Sequence, residues 1–243
     1  MAGRNISRRR FLTHTLVSAT ALMAPAAFAR TISEEFPWLP GQTNIPPAYP
    51  DLRFFTEAER ACIDAITSRL IPTDETGPGA REAGVTDFID SQLAGFYGRG
   101  ERWYMQGPFG EGLDTQGYQS EHAPAQLYRT AIESLDAHCE GTLGAPFAEL
   151  TAEQQDETLQ RIEDGDLELD GVSASAFFEL VKENAIEGFF CDPIYGGNRD
   201  MVGWKLVGFP GARYDYRDFL DHNGAKITLE PVGLKGRPAW TPA

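Results

Sequence analysis

The sequence predicts a small all-α domain with long aromatic loops rich in Gly and Pro and an extended arm at each end. Three observations support this fold class. Apolar residues recur at helical spacing in five segments. The chain shows neither a strand-turn-strand pattern, nor a βαβ pattern, nor an internal repeat. Two other segments mix aromatic residues with Gly at no fixed spacing, which is typical of long ordered loops.

The first two predicted helices lie on either side of a turn-rich loop. Thr56 and Glu59 have the spacing of a capping box, so a helix begins after Thr56 and Pro72 ends it. A loop follows over residues 73–84, and a shorter amphipathic helix begins near Thr86.

Three more helices follow in the second half of the chain. Pro124 suits the first helical position, and Gly141 is predicted to close that helix. Thr151 and Gln154 form a second capping box, which opens a surface helix. Ser173 caps a fifth helix that runs into an aromatic loop.

The two aromatic segments are the least regular parts of the domain. The first aromatic loop, residues 98–117, carries Trp103 and Tyr104. The second, residues 187–211, is named here the signature segment; neither a helical nor a strand period runs through it, and we predict a long ordered loop. Its rings are too apolar to remain solvated, so some surface must bury them.

The remaining boundaries follow from composition. Residues 1–29 read as a targeting segment, residues 30–53 as a Pro-rich extended arm, and residues 54–222 as the helical domain. Residues 214–220 are predicted to form a brief helical stretch at its end. Residues 223–243 are predicted to be an extended C-terminal arm.

The targeting segment has a basic start, an apolar run too short to span a bilayer, and an A-x-A site that ends at Ala29. Arg8 and Arg9 lie in a stretch that matches the twin-arginine pattern S-R-R-x-F-L. We therefore expect export to the periplasm by the route that carries folded proteins, with no membrane span of its own.

Net charge and motif content exclude several classes of function. The formal charge of −15 disfavours binding to nucleic acid or to anionic lipid by charge. The sequence has no dinucleotide-binding glycine motif in a strand context, no phosphate-binding loop and no nucleophile elbow. The histidines lack zinc-ligand spacing. We therefore predict no catalytic, cofactor-binding or metal-binding residue in this chain.

Two small clusters leave alternatives open. Asp192, Asn198 and Asp200 could offer oxygen ligands to calcium, although they lack the spacing of a calcium loop, and local bonds to the backbone are the competing interpretation. The odd set of three cysteines, Cys62, Cys139 and Cys191, has no haem-attachment or paired spacing. These thiols are either buried as small apolar side chains or available for a disulfide.

An interaction surface is the function class that remains. Rings interspersed with Gly and Arg have the composition of interface hot spots, although the same rings could fill the domain's own core. The candidate partner-contacting residues are Trp103, Tyr104, Cys191, Tyr195, Arg199 and Trp204.

Three stretches resemble the gluconate 2-dehydrogenase subunit 3 family: F-F-T-E-A-E-R-A-C-I-D-A-I-T-S-R-L-I-P-T-D from Phe54, G-P-G-A-R-E-A-G-V-T-D-F-I-D from Gly77, and G-F-F-C-D-P-I-Y-G-G-N-R-D-M-V-G-W-K-L-V-G-F-P-G from Gly188. The resemblance covers about residues 54–222. It implies a companion of a large FAD-binding subunit of the glucose-methanol-choline type, often with a third, multihaem cytochrome c subunit. The implied cofactors, FAD and haem c, then lie in those partners, and the family offers no catalytic residue to transfer.

Two hypotheses from different classes follow. In the first, the chain is an accessory subunit that binds and stabilises the flavoprotein and supplies its export signal. In the second, it is a stand-alone periplasmic sugar-binding protein or oxidoreductase with a pocket between the aromatic loops. The odd cysteine count also allows a disulfide from Cys191 to the large subunit. The substrate would be set in another polypeptide.

Overall fold

The structure is a computed structural model that describes residues 31–32 and 53–234, apart from residues 111, 114, 214, 215 and 223. These residues fall into two units. The smaller includes β1 (Thr31–Ile32), which pairs in parallel with β2 (Lys226–Ile227), and a 3-10 turn at Arg217–Phe219. The targeting segment with Arg8 and Arg9, most of the Pro-rich arm, and residues 235–243 lie outside the described residues.

The larger unit is helical, which confirms the predicted all-α class. Among the described residues it contains seven α-helices: α1 (Glu57–Leu70), α2 (Ala80–Ala83), α3 (Val85–Ala94), α4 (Pro124–Leu143), α5 (Ala152–Glu163), α6 (Ala174–Phe190) and α7 (Val202–Val207).

The predicted helix starts are confirmed by their hydrogen bonds. Thr56 Oγ1 accepts from the Glu59 amide at 3.3 Å, and Glu59 Oε2 accepts from the Thr56 amide at 2.7 Å. Thr151 and Gln154 repeat this box at α5. Ser173 Oγ accepts from the Ala176 amide and caps α6. Each box satisfies amide groups that a helix cannot pair internally.

The core lies between α1 and α6, which both pack against α2, α3, α4 and α5. Its largest fully buried side chains include Ile63, Ile66, Ile89, Leu93, Tyr128, Leu135, Phe147, Phe177 and Phe189. The apolar positions come from every helix except the short α7, so the domain buries the helical stripes that the sequence predicts.

Two predicted boundaries need correction. Gly141 does not close α4; the helix continues to Leu143, and Gly144 ends it in a left-handed conformation with φ 85°. Gly at the position after the last helical turn is the commoner stop, and Gly141 lies three residues before that position. The loop over residues 73–84 also contains the short helix α2, which Gly84 separates from α3 at φ 74°.

The signature segment is not the aperiodic loop that the sequence predicts. α6 runs into it as far as Phe190, 3-10 turns follow at Pro193–Tyr195 and Arg199–Met201, and α7 comes next. Each helical piece is only three to six residues long after Phe190. Gly and left-handed residues separate the pieces, so no 3.6-residue period can accumulate.

Hydrogen bonds in the core link three side chains: Tyr97, Asn184 of α6 and Tyr128 of α4. Tyr97 Oη donates to Asn184 Oδ1 at 3.0 Å, and Asn184 Nδ2 donates to Tyr128 Oη at 2.9 Å. Tyr128 is fully buried, and burial raises the pKa of its hydroxyl well above the ordinary value. The phenol therefore stays neutral and serves as acceptor for the Asn184 amide.

Replacing Tyr128 by Phe should lower the free energy of unfolding by about 1 to 3 kcal/mol, because the buried Asn184 amide loses its acceptor. Urea denaturation measures this change. Tyr97→Phe is the matched control: the Tyr97–Asn184 bond is only partly buried whereas the Asn184–Tyr128 bond is buried, so the loss should be smaller. An equal loss in both variants would contradict the assigned role of Tyr128.

Candidate functional site

The turn at Asn198 holds the signature segment together. Asn198 is fully buried; its Nδ2 donates to the Cys191 carbonyl at 2.8 Å, and its Oδ1 accepts from the Gly203 amide at 2.9 Å. Asn198, Asp200 and Met201 all have positive φ, at 46°, 54° and 56°. Such left-handed residues cost about 1 to 3 kcal/mol each and persist only where the surroundings fix them.

Asp192 fixes the start of the same turn. Its Oδ1 accepts from the Ile194 amide at 2.9 Å, and its Oδ2 accepts from the Leu234 amide at 2.7 Å. The Asp192–Ile194 bond is the predicted local turn, whereas Asn198 bonds to backbone groups seven and five residues away. Across the described residues, no group of three or more His, Cys, Asp or Glu side chains is arranged to hold a metal ion.

Three glycines allow the segment to close against the last turn of α6. A Cβ on Gly197 would lie 2.1 Å from the Gly188 carbonyl oxygen, and one on Gly203 would lie 2.2 Å from the Phe189 carbonyl oxygen. A Cβ on Gly188 itself would lie 2.8 Å from the Phe88 ring of α3. The segment therefore fits only because these side chains are absent.

An ionic cluster joins the three stretches that carry the family resemblance. Asp87 of the second stretch accepts from Arg60 of the first and from Arg199 of the third. The Arg199 side chain also covers Gly84, where a Cβ would meet its Nε at 2.7 Å. Surface ion pairs of this kind contribute about 0 to 1 kcal/mol each, so their main effect here is to orient the segments.

Asp90 is a buried member of the same ionic cluster. Its buried Oδ1 accepts from the amides of Phe54 and Phe55, at 2.7 and 2.9 Å, and its Oδ2 lies 3.7 Å from Arg60 Nη1. No role was predicted from the sequence for Arg60, Asp87 or Asp90. A signal was present, since Asp87 and Asp90 lie one turn apart in the motif V-T-D-F-I-D, but sequence spacing alone does not show their partners.

The six candidate interface residues differ in exposure. Trp204 is only 6% exposed, and its Nε1 donates to the Phe190 carbonyl at 2.7 Å, so its ring belongs to the chain's own packing. Trp103 is partly buried and stacks on Tyr118 with ring centroids 4.4 Å apart. Tyr104 is 82% and Tyr195 48% exposed.

Arg199 and Cys191 complete the set. Arg199 is exposed, although its guanidinium is engaged by Asp87. Cys191 is a free thiol whose Sγ donates to the Gly188 carbonyl at 3.5 Å. Burial raises the pKa of this thiol to about 11. At neutral pH Cys191 is therefore a weak nucleophile, since the thiolate is the reactive form.

Two of the cavities among the described residues are of moderate size. One, of about 370 Å³, lies over the ionic cluster and is lined by residues such as Asp64, Arg81 and Arg199. The other, of about 430 Å³, lies along residues 165–175. Within the part of the chain that the structure describes, no helix is both long and apolar enough to cross a membrane.

These features define an all-α protein in which Asp87, Asp192 and Asn198 hold segments of the chain itself together. The chain belongs to the gluconate 2-dehydrogenase subunit 3 family, whose model matches residues 57–211, more than half of its length. Membership makes it a subunit of a multi-subunit dehydrogenase, in a family of extracellular or membrane-associated complexes. Comparison with curated proteins and with solved structures gives no match.

Replacing Gly197 by Ala should destabilise the domain by about 3 kcal/mol or more, because the new Cβ meets backbone rather than a movable side chain. Thermal and urea denaturation measure the change. Gly141→Ala is the control: this helical Gly has open space around its Cβ position, and the Ala variant should gain about 0.5 to 1 kcal/mol. A neutral Gly197→Ala substitution would show that the segment is not closed as described.

Alkylation of Cys191 by iodoacetamide should be slow at pH 8. With the pKa raised from 9.0 to about 11, the thiolate fraction at that pH is about 100-fold lower than for an ordinary thiol. The rate should rise with pH until it levels off above about pH 11. Mass spectrometry of the modified peptide measures it, with Cys191→Ser as control, and rapid labelling at pH 8 would contradict the burial of the sulfur.

Proposed function

We propose that this chain is the non-catalytic small subunit of a periplasmic flavin-dependent sugar or sugar-acid dehydrogenase. In this role it binds and stabilises an FAD-containing large subunit of the glucose-methanol-choline type and supplies the twin-arginine signal that exports both. A multihaem cytochrome c is the third subunit in this proposal. The observation that carries it is the family match over residues 57–211.

Two further features support an accessory role. The described site residues are engaged in anchoring: Asn198 and Asp192 bond to backbone, and Asp87 bonds to two arginines. Residues 7–12 also match the twin-arginine pattern, and a small helical domain does not need an export route for folded proteins for itself. A cofactor-loaded partner without a signal of its own explains why that route would be used.

Copurification is the direct test of the partner. An affinity-tagged chain should recover a flavoprotein whose FAD absorbance and sugar or sugar-acid oxidation with an artificial acceptor identify it. The purified chain alone should show neither that activity nor heat of binding with sugars in calorimetry. A chain that oxidises or binds sugar by itself would favour the stand-alone alternative.

Replacing Arg8 and Arg9 together by Lys should leave the partner's flavin-dependent activity in the cytoplasm, because the export machinery reads the arginine pair. Cell fractionation measures the distribution of activity. Arg10→Lys is the matched control, since residue 10 occupies the variable position of the pattern. Normal periplasmic activity in the Arg8/Arg9 variant would rule out a shared export signal.

A further inference from the structure

The last described stretch of the chain, residues 230–234, is buried in the larger unit, and we call it the C-terminal strap. Pro231, Val232 and Gly233 are buried, and the Val232 side chain is fully so. Val232 is not a member of the main core cluster that the helices form. Its burial is therefore separate from the packing of the helical core.

The strap pairs with the chain at the end of the signature segment. Val232 forms a parallel bridge with Gly211. The Ala212 amide donates to the Val232 carbonyl at 2.6 Å, and the Val232 amide donates to the Pro210 carbonyl at 3.3 Å. A Cβ on Gly211 would lie 2.2 Å from the Val232 carbonyl oxygen, and Gly211 has a φ of 79°. This approach of two backbones therefore requires Gly at position 211.

The same strap also bonds to the chain near the start of the signature segment. The Leu234 amide donates to Asp192 Oδ2 at 2.7 Å, while Asp192 Oδ1 accepts from the Ile194 amide at 2.9 Å. The strap thus joins Asp192 to Pro210 and closes the intervening stretch into a loop. Closing a loop removes conformational freedom from the chain between its two ends.

We propose that the C-terminal strap is a release device for the signature segment. While the strap is docked, it holds both ends of the segment; when it undocks, residues 192–212 open as one local unit and the helical core stays folded. Parts of a protein that open locally do so at a lower free energy than global unfolding requires. The family model ends at residue 211, so this device lies outside the matched region and does not depend on the identity of a partner.

The three cysteines distinguish local from global opening within one chain. Cys191 lies in the signature segment beside Asp192, whereas Cys62 and Cys139 are fully buried in α1 and α4. Iodoacetamide labelling of the full-length chain at a fixed pH of about 8, followed by mass spectrometry of each cysteine peptide, gives three rates. Opening of the segment accelerates the first rate alone, and unfolding of the core accelerates all three.

The test compares the same substitution at two valines. Val232→Asp places a carboxylate at a fully buried position and therefore expels the strap. Val207→Asp is the matched control, because Val207 lies in the signature segment and is 60% exposed.

The Val232→Asp variant should label Cys191 at least about ten-fold faster than wild type, with the rates of Cys62 and Cys139 unchanged. Val207→Asp should label all three cysteines at wild-type rates. An unchanged Cys191 rate in Val232→Asp would overturn the proposal, because the segment would then be held without the strap.

A milder variant decides the case in which Val232→Asp accelerates all three rates. Leu234→Pro removes the amide that donates to Asp192 and leaves the Val232 side chain in place. Faster labelling of Cys191 alone in this variant would support the release device. Faster labelling of all three cysteines, or of none, would overturn it.

Hydrogen exchange of the wild-type chain is an independent measurement. The amides of Ile194, Ala212 and Leu234 form bonds at the start of the segment, at its end and in the strap. These three amides should share one protection factor, lower than that of the amides in the middle of α1 and α4. Unequal protection among the three, or protection equal to that of the core helices, would contradict a shared local opening.

Discussion

Close backbone packing at the end of α6 is the constraint on which the rest of the site depends. Gly188 faces Phe88, Gly197 lies against the Gly188 carbonyl, and Gly203 lies against the Phe189 carbonyl. Backbone contacts this short leave no room for any side chain atom, and a packed interior does not yield by the ångström that a Cβ would require. The path of the chain from α6 to α7 is therefore set by where side chains are missing.

The ionic cluster of Arg60, Asp87, Asp90 and Arg199 orients the packed segments relative to one another. Asp87 bonds to Arg60 and Arg199, while Asp90 receives the two amides that precede α1. The exposed pairs contribute little stability individually, whereas the buried Asp90 oxygen satisfies amides that would otherwise be costly to bury. Together they tie the start of the domain, α3 and the signature segment to one point, so the segments that resemble the family in sequence also meet in space.

Much of the helical framework could be predicted from sequence, and the site could be predicted only in part. Capping boxes at Thr56 and Thr151 act through neighbours three residues away, so local spacing reveals them. The bonds of Asn198 and the inward position of Trp204 depend on contacts seven and fourteen residues apart around a strained turn. The partners of Asp87 lie 27 and 112 residues away, and no periodicity encodes such distances.

The two aromatic segments also differ in how firmly they are held. In the first aromatic loop, Trp103 packs on Tyr118 and Tyr97, while Tyr104 projects into solvent. In the signature segment, the exposed Phe209 ring packs against the buried Trp204, and Gly and Asn contacts fix the backbone. The Gly and Asn contacts that make the signature segment hard to predict from sequence also make it the more firmly held of the two.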